Sequence, residues 1–228
     1  MRDGIEGVAF DLDGTLYPNY RLNIRLIPFI LKEWRMLSAF GKARNIIRKE
    51  QKENPSLLYN EFYEHQARVT AELLSVPAEP LNKRINNLIY RGWENYFKDI
   101  KLFKNTLETL SALRKAGYKT GLLSDFPPET KLKYLGINDG WNAVLCSELC
   151  GALKPHPRSF LELASVMGLE PSKILYVGNS HSYDVCGAAK AGMKTAWIKS
   201  PLTPLWGKHP KPDFSFHNYR QFFHYMIQ

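Results

Sequence analysis

The stretch Val8-Ala9-Phe10-Asp11-Leu12-Asp13-Gly14-Thr15-Leu16 decides how this chain is read. Three apolar residues run into two carboxylates at i and i+2, followed at once by Gly-Thr. That is the pattern of a short buried strand ending in a sharp turn. On an extended backbone, residues i and i+2 face the same side. The two carboxylates therefore meet at the strand's carboxyl end, where they repel unless a positive charge lies between them. A hard divalent cation meets that need most simply, because Mg²⁺ takes one or two carboxylates together with waters and phosphate oxygens. The stretch by itself points to metal-assisted phosphate chemistry.

Working outward, strand and helix alternate beyond residue 103. The pattern predicts helices over 106–116, 128–135, 157–167 and 183–191, three of them closed by Gly117, Gly168 and Gly192. Strands fall over 119–125, 143–147, 174–178 and, last, 195–198. Such alternation requires right-handed crossovers, and so an α/β fold with a doubly wound parallel sheet and helices on both faces. Ligands of such sheets bind beyond the carboxyl ends of the strands. The polar residues collect there: Asp11 and Asp13 after the first strand, Ser124 and Asp125 after the second, Asn179, Ser180 and Asp184 after the strand over 174–178.

Residues 20–98 read as almost entirely helical. Apolar residues recur at helical spacing over 22–37, and a basic helical stretch follows over 42–51. Asn54-Pro55-Ser56 interrupts, with Ser56 placed to cap a helix running to Leu74, and Pro77 and Pro80 precede a further helix over 81–97. The expected division is an α/β core of residues 1–18 and 100–228 with an inserted all-helical domain of residues 19–99. Tyr17-Pro18 and Phe126-Pro127-Pro128 stand where they would shape the hinge and the entrance.

At 228 residues, 44% hydrophobic and 23% charged, the chain can bury a full core, and disorder is not indicated. No basic region precedes an apolar run at the N-terminus and no segment approaches ~20 apolar residues, so neither a signal peptide nor a membrane span is expected and the location read is cytoplasmic. Cys146, Cys150 and Cys186 lack the paired spacing of a zinc site and read as buried or half-buried thiols. The net charge is +9, and nine Lys or Arg against Glu33, Glu50 and Glu53 fall within residues 21–53. A solvated face accounts for that stretch most simply, steering of an anionic substrate next, and nucleic-acid binding after those.

Asp11-Leu12-Asp13-Gly14-Thr15, Leu122-Leu123-Ser124-Asp125, Lys154-Pro155 and Val177-Gly178-Asn179-Ser180 with Asp184 resemble, in order and spacing, the four motifs of the haloacid dehalogenase superfamily. The helical block resembles the cap that subgroup I members insert after the first motif. Seen alone, Lys154 would be a surface lysine before a proline and Asp13-Gly14 a turn; the joint pattern lifts them. The resemblance implies a phosphatase of that superfamily acting on a small phosphorylated metabolite. Asp11 is then the nucleophile that forms an aspartyl-phosphate, and Asp13 the general acid and then base. Ser124 binds the transferring phosphoryl group, with Asp125 beside it at the substrate, and Lys154 neutralises charge there. Mg²⁺ is implied as cofactor, held by Asp11, the backbone carbonyl of Asp13, Asn179 and Asp184.

Members that release halide lack a carboxylate at the position of Asp13, because halide leaves without a proton. The implied reaction is therefore phosphoryl transfer. Asn179 departs from the acid usual in the fourth motif; it keeps a hard carbonyl oxygen but removes a charge that Asp184 can supply. No membrane partner is implied, nucleic acid ranks last among partners, and the oligomeric state is open. Two rivals stand beside this reading: a phosphomutase that shields the same intermediate from water, and a non-catalytic binding module using the basic 21–53 stretch.

Overall fold

The computed structural model describes every residue except 1, 3, 202 and 204–208, and every side chain of those but that of Asn95. Strands β1 (Gly7–Phe10), β2 (Lys119–Ser124), β3 (Ala143–Cys146), β4 (Ile174–Gly178), β5 (Lys194–Ile198) and β6 (Phe214–Phe216) form one sheet in the order β3-β2-β1-β4-β5-β6. Every pairing is parallel. β1 lies at the centre, covered on both faces, which is why its sequence is a continuous apolar run rather than an alternating one.

Phe10 pairs with Leu122 on one side and Val177 on the other. One step further along, the register brings Asp11 level with Leu123 and Gly178. The chemistry-bearing residues therefore share one rim because three buried strands are aligned there.

Helices α1 (Asn19–Arg25), α2 (Ile27–Glu53), α3 (Phe62–Leu74), α4 (Ala78–Ile85) and α5 (Glu94–Phe97) follow β1 as one block, with a π-helical turn Asn86–Tyr90 between the last two. Then α6 (Thr106–Lys115), α7 (Glu129–Leu135), α8 (Pro157–Met167), α9 (Cys186–Lys190) and α10 (Tyr219–Ile227) alternate with the strands. One face of the sheet packs Phe10, Leu122 and Val177 with Leu110 of α6 and Phe222 of α10. The other packs Ala9, Leu123 and Tyr176 with Phe160 of α8 and Ala188 of α9. The block has its own cluster of Met36, Phe40, Ala67, Leu81 and Ile85.

Several helix boundaries differ from the sequence expectation. Instead of helices over 22–37 and 42–51, the break falls at Leu26, and Pro28 occupies the first turn of α2, where its missing N–H costs nothing. α2 then runs through Gly41 because Ala39, Phe40 and Ala43 bury its inner face; Glu33 alone leaves helical geometry, at φ −111°. Ser56 does not cap α3. Its hydroxyl donates to Asn54 Oδ1 at 2.7 Å, and α3 starts at Phe62. The helix expected over 81–97 is interrupted at Gly92, where a Cβ would lie 2.2 Å from the Leu88 carbonyl oxygen. The strand over 195–198 is not the last: β6 and α10 extend sheet and core beyond it.

Cys146 is buried, and Cys150 and Cys186 are half-buried; none of the three forms a disulfide. Among the described residues, no helix is long and apolar enough to cross a membrane.

Candidate active site

Asp11 stands one residue beyond β1, its amide donating to the Val177 carbonyl at 2.9 Å. Its carboxylate is buried. Oδ1 accepts from Lys154 Nζ at 2.7 Å, and Oδ2 from Thr15 Oγ1 at 2.7 Å. Lys154 Nζ also donates to Asp184 Oδ1 and to the Tyr176 hydroxyl, each at 2.9 Å. The three donors of one ammonium thus tie β1, β4 and the turn after β4 together.

Burial pushes the Asp11 carboxyl up, to about 7; Lys154 opposes that rise and Asp184 adds to it. Burial also works against the Lys154 ammonium, yet Asp11 and Asp184 hold its pKa well above the ordinary lysine value, so it stays charged. A fixed cation wedged between two acids is the electrostatic centre of the site.

Two glycines let the loops close over the strand ends. Gly14 has φ +88°, and a Cβ on it would lie 2.4 Å from Asn179 Nδ2; one on Gly178 would lie 2.3 Å from Asp184 Cβ. Thr15 Oγ1 lies 3.3 Å from Asn179 Oδ1, so a single hydroxyl spans Asp11 and Asn179. Asp184, in the π-helical turn His181–Val185, gives its second oxygen to the Ser180 amide at 2.9 Å. Its first oxygen accepts from Lys154. That carboxylate orients Lys154, and each of its oxygens keeps a lone pair, so the ligand role expected of Asp184 stays compatible with this geometry.

Ser124 ends β2 and is buried. Its Oγ accepts from the Phe126 amide at 3.2 Å, a bond that uses a lone pair and not the hydroxyl proton. Asp13 is engaged elsewhere: Tyr17 donates its hydroxyl to Oδ1, and Lys131 Nζ lies 2.6 Å from each carboxylate oxygen. Lys131, on α7, also sits 4.5 Å from the centroid of the Trp93 ring of the helical block. Sequence reasoning missed it. The available signal was a lysine beside Leu132 and Leu135 on the buried face of a short helix.

Asp125 faces the helical block. Arg48 Nη2 donates to its Oδ2 at 2.8 Å and Arg44 Nη2 lies 3.4 Å away, while Ser147 Oγ and the Lys154 amide donate to Oδ1 at 2.5 and 3.2 Å. Burial would raise this carboxyl, but Arg44, Arg48 and Lys154 bring it down to about 2. Both oxygens accept from these groups, and through Arg44 and Arg48 the carboxylate holds α2 against the sheet. Arg48 Nε donates to the Lys154 carbonyl at 2.9 Å, and Arg44 donates to Gln66 Oε1 at 3.0 Å and to Glu148. Burial pushes Glu148 up to about 7 even with Arg44 beside it. Two arginines of the basic 21–53 stretch are therefore internal clamps and not part of a solvated face.

Behind Lys131, which pairs with Asp13, lies a cavity of about 60 Å³. Tyr90, Trp93 and Phe97 from the helical block and Phe126 and Tyr134 from the core complete an aromatic lining. Its walls are apolar, and in this arrangement the space is much smaller than an ordinary ligand pocket.

For a metal, Asp11, the carbonyl of Asp13 and the amide oxygen of Asn179 form an all-oxygen donor set, and Asn179 Oδ1 spends itself only on the long 3.3 Å contact to Thr15. Hard divalent cations choose such donors, zinc prefers nitrogen and sulfur. Among the described residues no three His, Cys, Asp or Glu side chains could hold a metal by themselves. Waters and a phosphate oxygen must then complete the shell, which is the habit of Mg²⁺. The residues present fit the group.

A family model described as haloacid dehalogenase-like hydrolase matches residues 5–192. The chain is 29% identical over 212 residues to a glyceraldehyde 3-phosphate phosphatase of Methanopyrus kandleri, covering 86% of this chain and 84% of the relative. The fold is shared with the L-2-haloacid dehalogenase RSc1362 at a TM-score of 0.69 and 22% identity, covering 98% of this chain and 99% of that one. It is shared as well with a HAD phosphatase from Thermococcus onnurineus at a TM-score of 0.63 and 24% identity, over 96% of each chain.

Proposed function

Since the chain belongs to the haloacid dehalogenase-like hydrolases, we propose that it hydrolyses a small phosphomonoester, with Mg²⁺ as cofactor, through an aspartyl-phosphate formed on Asp11. The observation that carries this reading is the Lys154 ammonium held between the buried carboxylates of Asp11 and Asp184 at the rim of the sheet. Lys154 keeps Asp11 oriented and offsets charge that builds on the phosphoryl oxygens. The phosphatase name of the Methanopyrus kandleri relative supports the same reaction.

Asp11 Oδ attacks phosphorus, and the ester oxygen departs with a proton from Asp13. Asp13 then takes a proton from the water that opens the acyl phosphate and returns inorganic phosphate. Ser124 donates its hydroxyl proton to a phosphoryl oxygen. Mg²⁺, when held by Asp11, the Asp13 carbonyl and Asn179, supplies Lewis-acid charge. Asp13 is also what favours ester hydrolysis over release of halide, which needs no proton. The dehalogenase likeness at 22% identity concerns the fold alone.

Asp11 is 7% exposed and Ser124 1%. A phosphate cannot reach them in this arrangement, so residues 19–99 act as a cap that opens and closes. Release of inorganic phosphate from a generic aryl phosphate, dependent on Mg²⁺ and abolished by chelator and by Asp11→Asn, is the expected result. Retained turnover in Asp11→Asn would refute the nucleophile, and an isomerised sugar phosphate with no free phosphate would make the protein a mutase.

A further inference from the structure

The outer face of α1 and of the first turns of α2 is apolar and uncovered. Leu22 and Met36 turn inward and are buried, and Phe29 packs on Tyr96. Tyr20 and Ile24 on α1 and Ile27 and Leu31 on α2 are exposed, each pair at a spacing of four and so on one side of its helix, and Trp34, just past the non-helical Glu33, is exposed beside them in sequence. Their exposure is high where it matters: 62% at Ile24, 71% at Leu31 and 61% at Trp34. A helix apolar on both sides, with one side in water, is unusual for a surface element and marks a contact surface.

Among residues 20–35 every charged residue but one is basic. Arg21, Arg25, Lys32 and Arg35 are exposed. The only acid between residues 20 and 35 is Glu33, and its carboxylate is taken by Arg84 at 2.9 Å. We propose that this face docks on an anionic lipid surface, with Ile24, Leu31 and Trp34 entering the headgroup boundary and the four cations meeting lipid phosphates. Both halves of the match are on the helix: apolar groups with an aromatic at the water boundary, and cations whose long stems let the charge stay in the headgroups.

A second copy fits less well. A two-fold contact would set the same four cations against one another with no acid between them. The association lies on the bilayer and not across it, because no described helix is long and apolar enough to span.

The full-length chain is floated with vesicles of phosphatidylcholine containing about a third phosphatidylglycerol, and separately with phosphatidylcholine alone. Partition onto the anionic vesicles is expected to be at least about tenfold stronger and to vanish near ~1 M salt, where the Debye length falls to about 3 Å. A blue shift of tryptophan fluorescence accompanies it and is lost in Trp34→Ser. Leu31→Glu brings partition down to the neutral-vesicle level while leaving the melting temperature unchanged, since this side chain already stands in water. Equal partition onto both vesicles, partition onto neither, or a dimer by light scattering that Leu31→Glu splits would each overturn the proposal.

Discussion

The strand ends and the helical block use charge for opposite purposes. At the strand ends Lys154 gathers Asp11 and Asp184 so that the proposed nucleophile is held in one place by rigid elements. In the block, Arg44 and Arg48 of α2 reach across to Asp125, Glu148 and the Lys154 carbonyl, and so join two regions. The first set must stay made throughout turnover. On the proposed cap motion the second set breaks, since Asp11 and Ser124 are buried while it is intact. Side chains of the same charge therefore predict different kinetic losses. Lys154→Met is expected to lower kcat by about 10³-fold or more. Arg48→Met should leave kcat within about tenfold while shifting KM and speeding amide exchange over residues 36–53. Similar losses in kcat from the two variants would erase the distinction.

Lys131 sits at the border of the two regions, touching Asp13 of the sheet rim and the Trp93 ring of the block. Lys131→Met should cost about 10–100-fold in kcat/KM for alkyl phosphates, whose leaving oxygen needs a proton, and much less for an aryl phosphate that leaves as a stable anion. A loss that is equal across leaving groups would place Lys131 in binding and not beside the acid.

The same division decided what could be read from the sequence. Asp11, Ser124, Asn179 and Asp184 each lie within a few residues of a buried strand end, so a local pattern and one rule about parallel sheets sufficed to bring them together, whereas Lys154, well past the end of β3, was placed only by the joint order of the four motifs. Which oxygen of Asp125 or Asp184 meets which cation was not legible, because it is settled by residues far away in sequence. Arg44 carried a weaker signal: Met36, Phe40, Arg44, Ile47 and Gln51 form one helical stripe, and all are buried. A polar residue on such a stripe has to find a buried partner, but nothing local says that the partners are Glu148 and Asp125. β6 escaped because three residues after a proline-rich segment give too short an alternation. α10 did leave a trace in Asn218, which caps it, followed by Tyr219, Phe222 and Met226 on the buried face.

Asn179 offers a way to sharpen the description of the sheet rim. Asn179→Asp adds a negative charge to a donor set of hard oxygens and should tighten Mg²⁺ binding about tenfold in a calorimetric titration. An unchanged affinity would remove Asn179 from the ligand set while leaving Lys154 and Asp11 as they are.

The smallest effects expected are on stability, and they too separate the two regions. In the metal-free protein the Asp11 carboxyl is raised from 3.8 to about 7, so its ionised form is disfavoured by folding. What this group contributes is present below about pH 4 and lost as pH rises through about 7. Asp125 is lowered from 3.8 to about 2, and its contribution is present above about pH 4 and lost as pH falls toward 2. With chelator present, Asp11→Asn should therefore raise the melting temperature at pH 8 and leave it nearly unchanged at pH 4, at about 2–4 °C for each kcal/mol recovered. Asp125→Asn should lower it at pH 7, where Arg44 and Arg48 lose their shared partner, and the deficit should shrink as pH approaches 2. Opposite slopes follow because the reacting acid is kept poised at a cost in stability, whereas the clamp acid is ionised by the cations it binds. Parallel slopes for the two variants would mean that both carboxylates serve the fold in the same way.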